Sequence, residues 1–83
     1  MLDCLILGDS IAVVIYSKMP YCVEVAEGGI NSRNYNRKHG SKLTVTELKN
    51  RITVISLGTN DSNDIDTVKE LTRLRQTLKA DEV

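Results

Sequence analysis

An α/β domain with three parallel strands in the order 2-1-3 is what this sequence predicts, and three observations predict it. Apolar runs of strand length recur three times, a segment of helical character follows each, and each run ends in a glycine-led turn. Such alternation implies parallel pairing, right-handed crossovers and helices on both faces of the sheet. Residues 2–7 are apolar apart from Asp3 and stop at Gly8-Asp9-Ser10, the pattern of a strand buried on both faces. Ser10 then stands where a helix cap belongs, ahead of a helix over 11–19 that Pro20 closes. The β-branched content of Ile11-Ala12-Val13-Val14-Ile15 favours a strand, but a parallel neighbour requires a crossover, which decides for the helix. Residues 21–26 alternate as a second strand that ends at Gly28-Gly29. A short basic helix ending at Gly40 and a helical turn opened by the capping-box spacing Thr44-x-x-Glu47 lead to a third strand over 52–57. Ile65, Val68, Leu71, Leu74 and Leu78 recur at intervals of three and four and predict the last helix, capped by Asn63 or Asp64.

Composition bounds the rest. The chain of 83 residues makes a single domain over 1–83, and its 11 basic and 11 acidic residues cancel, so no global field draws it to nucleic acid or to an anionic membrane. Phe and Trp are absent, so the core is aliphatic, and a chain this short buries only roughly 60–65% of its unfolded surface. Cys4 and Cys22 lie in apolar segments without a CxxC spacing, which predicts reduced, buried thiols and a cytoplasmic location. The longest apolar run, 11–16, is far short of the roughly 18 residues that span a bilayer, and Asp3 stands where a signal peptide carries basic residues.

The three turns Gly8-Asp9-Ser10, Gly28-Gly29-Ile30-Asn31 and Gly58-Thr59-Asn60-Asp61 follow the three strands, and a parallel sheet brings such turns to one edge. A hydroxyl, unobstructed backbone amides and a carboxamide would meet there, which is the inventory of an acyl-transfer site. Ser10 at a helix N-terminus has the positive end of the dipole beneath it, and Gly29 and Asn60 can each offer N–H donors to a developing oxyanion.

These blocks resemble a known family. Ile6-Leu7-Gly8-Asp9-Ser10-Ile11 is similar to the first block of the SGNH hydrolases, also called the GDSL lipase/esterase family, and Gly58-Thr59-Asn60-Asp61 is similar to the block that supplies its oxyanion asparagine. Gly29 matches the glycine block between them. The resemblance implies a three-layer α/β/α, flavodoxin-like sandwich, no metal and no organic cofactor, with Ser10 as nucleophile and Ser10 N–H, Gly29 N–H and the Asn60 side chain as oxyanion hole. Ala12 stands where the second glycine of the GxSxG elbow of α/β-hydrolases would be, so that elbow is not formed. The family's closing Asp-x-x-His block has no counterpart before Asp81-Glu82-Val83, so the resemblance is to a domain truncated after its third strand. A serine without a base is a poor nucleophile. The single histidine, His39, lies in the basic segment and is expected to be exposed.

Other signals have simpler readings. Asp61, Asn63, Asp64 and Asp66 invite a calcium loop, but Ile65 stands where an EF-hand needs an oxygen ligand. Arg33, Arg37, Lys38 and Lys42 form a basic stretch able to meet an acidic partner, a solvated helix face being the alternative. Strand 52–57, with Ile52, Val54, Ile55 and Leu57, would have an unpaired apolar edge, which predicts pairing with a second copy or a foreign strand. The sequence therefore predicts an ester or acyl hydrolase-like domain, weak or inactive alone and self-associating through that strand. The runner-up is a non-catalytic interaction protein, such as a small phage or mobile-element product that docks on a host or virion assembly.

Overall fold

The computed structural model describes residues 1–83, the side chain of Thr46 excepted. The chain forms β1 (Leu2–Gly8), α1 (Ser10–Lys18), β2 (Val23–Ala26), α2 (Ser32–His39), two 3-10 turns (Gly40–Thr44 and Thr46–Leu48), β3 (Asn50–Ser56), α3 (Thr67–Thr77) and β4 (Ala80–Glu82). All pairings are parallel, in the order β2-β1-β3-β4. The α/β class and the central position of β1 agree with the sequence. The sheet, however, has four strands and not three: Asn50 pairs with Ala80 and Ile52 with Glu82. Ala80-Asp81-Glu82 has no strand propensity of its own. It becomes a strand because β3 offers backbone groups that need partners, a tertiary demand that residue type does not announce. The first half of β3 is therefore not an edge.

The pleat divides the core. Leu5 and Leu7 of β1 face α2 and α3 in a cluster with Ile30, Tyr35, Leu43 and Leu74, while Cys4 and Ile6 face α1 and pack with Ala12 and Cys22. Leu5 pairs with Val23, so the residues before them, Cys4 and Cys22, stand side by side with Cα atoms 4.8 Å apart, and they form a disulfide. The expectation of reduced thiols is corrected here, because the register and not the spacing in sequence brings the two sulfurs together. The cytoplasmic expectation rested on those thiols and loses its ground. Among the described residues, no helix is long and apolar enough to cross a membrane.

Element ends differ from the sequence reading for local reasons. The cap of α1 is Asp9, whose side chain accepts the Ile11 N–H at 3.0 Å, not Ser10. Helix α3 starts at Thr67 under an Asp66 cap that accepts the Lys69 N–H at 3.1 Å, not under Asn63 or Asp64. The buried face of α3 runs through Glu70 and Leu74, which leaves Val68 in solvent.

Candidate active site

The first corner is set by Gly8. Its φ of +141° is foreign to L side chains, and a Cβ there would fall 1.8 Å from the Ser56 carbonyl oxygen, so only glycine lets β1 pass this close to β3. The same carbonyl accepts the Asp9 N–H at 3.0 Å, and the Gly8 carbonyl accepts the Glu27 N–H at 2.9 Å. The end of β1 is thus tied to the ends of both neighbouring strands. Because Asp9 does the capping, Ser10 is the first helical residue, exposed, with its hydroxyl relieved of that task. Asp9 itself is fully buried, and its Oδ2 has no hydrogen-bond partner among the described residues.

The second and third corners meet the first. A Cβ on Gly28 would lie 3.9 Å from the Ser10 Cβ, which brings the glycine turn against the serine. Gly29 has φ +78° and nothing within 4 Å of where its Cβ would be, so its backbone faces open space. Asn60 Nδ2 donates to the Ile30 carbonyl at 3.1 Å, joining the third corner to the second. A carboxamide nitrogen has two N–H donors, and this bond uses one. Ser10, Gly29 and Asn60 therefore lie on three turns at one rim of the sheet, linked through Gly28 and Ile30.

Asp61 holds that rim together, a role that its sequence position hides. It accepts the Ser32 N–H at 2.7 Å, the Ser32 hydroxyl at 2.6 Å and the Thr67 hydroxyl at 2.5 Å, so one carboxylate fastens the first residues of both α2 and α3. Burial raises the Asp61 pKa, but the hydrogen bonds from Ser32 and Thr67, helped by Arg33, outweigh it and hold the carboxyl below the ordinary aspartate range. The signal available in sequence was only that an acidic residue follows Gly58-Thr59-Asn60; its partners lie 29 and 6 residues away.

The expectation of an exposed His39 is also corrected. The ring is buried against Tyr35, with centroids 4.9 Å apart, because α2 turns the same face inward at positions 32, 35 and 39. Its Nε2 is 3.3 Å from Glu27 Oε1 and its Nδ1 is 3.5 Å from Lys42 Nζ, so both ring nitrogens are engaged. Lys38 completes the group at 2.7 Å from Glu27 and holds that carboxyl below its usual range. Of the remaining basic residues, Arg33 reaches Asp64 at 3.5 Å, and Arg37 has no carboxylate partner among the described residues. Beside α2 lies an open cleft of about 570 Å³, lined by residues 27–31 with Asn34, Arg37 and Lys38. No protein-family model, curated protein or solved structure matches the chain.

Proposed function

We propose that the chain is an SGNH-type ester or acyl hydrolase-like domain with Ser10 as nucleophile, assisted by the Gly29 amide and the second N–H of Asn60. The observation that supports this best is the joining of the three corners, Ser10 against Gly28 and Asn60 on Ile30, around a serine that its own helix does not use as a cap. In the reaction, Ser10 Oγ bonds to the ester carbonyl carbon, its proton passes to water, and the carbonyl oxygen gathers negative charge. The alcohol then leaves as its C–O bond breaks and takes up a proton. Water hydrolyses the acyl-serine, releasing the acid and restoring the hydroxyl. With both His39 nitrogens engaged, the domain supplies no base of its own, so the reaction is slow; losing the base typically removes several orders of magnitude in rate.

A second reading, that of a non-catalytic interaction protein, is favoured by the outward apolar residues of α1, namely Ile11, Val13 and Val14. In either case strand pairing with another chain would use the outer side of β4 and the β3 segment beyond its pairing with β4.

Hydrolysis of an activated short-chain ester separates the two readings. Turnover above background in the wild type and in Lys69→Ala, but lost in Ser10→Ala, is the result expected of the hydrolase. Equal rates for wild type and Ser10→Ala would exclude it.

A further inference from the structure

From the cleft beside α2 we infer that the domain binds an ester carrying a second, ionised carboxylate, with the ester end at Ser10 and the carboxylate at Arg37. This rests on the hydrolase reading for what happens at Ser10, but the carboxylate site stands on its own residues.

The cleft opens at the glycine turn, whose Gly28 lies beside Ser10 although Ser10 itself is outside the lining, and runs along α2 past Asn31 and Asn34 to Arg37 and Lys38. These positions recur every three or four residues and so share one helix face. Its volume of about 570 Å³ suits a small organic molecule and is too large for an ion alone. Three charged side chains line it: Arg37, Lys38 and Glu27. Glu27 is already bonded to Lys38 and His39, so the excess is one positive charge, and it resides on Arg37. One planar guanidinium matches one carboxylate through two parallel N–H donors, whereas a phosphate dianion would leave a charge unmet. Asn34 lies on the exposed side of the helix between the two ends and can donate or accept along the chain of the ligand. From Asn31, next to the glycine turn, to Arg37 the helix rises six residues at about 1.5 Å each, so the cleft runs about 9 Å along α2 before the reach of the arginine is counted. A half-ester of a medium-length dicarboxylic acid has that length and that charge.

The test is titration of the full chain with monomethyl suberate, with the uncharged methyl octanoate of equal backbone length as control, followed through the backbone amide resonances of Gly28, Gly29 and Asn31. Saturable shifts with the half-ester, at least about tenfold weaker binding of the uncharged ester, and a loss of about tenfold or more in Arg37→Ala and Arg37→Gln are expected. Arg37 is exposed, so neither variant threatens the fold. Equal binding of the two esters, unchanged binding in Arg37→Ala, or tighter binding of inorganic phosphate than of the half-ester would overturn the assignment. Binding without Ser10-dependent turnover would remove the hydrolase reading and keep the carboxylate site, and turnover indifferent to Arg37 would do the reverse.

Discussion

The face of the sheet that carries α2 and α3 is closed by long side chains, whereas the face that carries α1 is closed by one helix and a covalent bond. On the first face Leu5, Leu7, Tyr35, Leu43 and Leu74 are essentially inaccessible, and Asp61 fastens both helix starts. On the second, the small residues Cys4, Ala12 and Cys22 pack around Ile6, α1 buries only Ala12 fully, and Val14 remains 62% exposed. A nine-residue helix of β-branched residues has little intrinsic stability, and its packing here adds little. The disulfide from β1 to the residue just before β2 spans the crossover that contains α1, so it restrains the weaker layer directly. The comparison teaches that this chain compensates a thin layer by a constraint on its unfolded state and a thicker one by burial.

Breaking the covalent restraint should have the largest effect. Reduction of Cys4–Cys22, a separation of 18 residues, or the double change to alanine, should lower unfolding free energy by about 3 kcal/mol through loop entropy, measured by urea titration with and without reductant. Hydrogen exchange should then accelerate first in α1 and β2. Uniform acceleration across both layers would show that the two faces do not differ as described.

Asp61→Asn attacks the stronger face at its polar anchor and should cost about 2 kcal/mol, since Ser32 and Thr67 lose a charged acceptor. Folding lowers the Asp61 pKa, so its stabilisation is complete above the ordinary value of 3.8 and is lost as pH falls through the lower folded value. Wild-type stability should therefore drop more steeply below pH 4 than that of Asp61→Asn. Parallel acid profiles would mean that the carboxylate is not the anchor.

The smallest effect belongs to the outer side of α1, where Val14→Glu should change stability by no more than about 0.5 kcal/mol. A larger loss, or a change in sedimentation, would show that this face is covered in solution and would favour the interaction reading.

Much of the architecture was legible because it rests on short-range pattern. The run before Gly8, the β-branched stretch before Gly58 and the glycine-led corners each reflect local burial and local backbone demand, and with them came the joined rim that carries Ser10, Gly29 and Asn60. What the residues alone determined about this protein is the β-α alternation, the parallel sheet with β1 at its centre, and three chemically distinct turns at one end. Only the tertiary structure decided that Cys4 meets Cys22, that Asp61 secures the start of α2 in addition to the Asn31 cap, that His39 turns inward to Glu27, and that Ala80–Glu82 becomes a strand. Each of these joins residues distant in sequence, or asks a polar segment to satisfy another strand's backbone, and neither register nor such a demand is written in residue type.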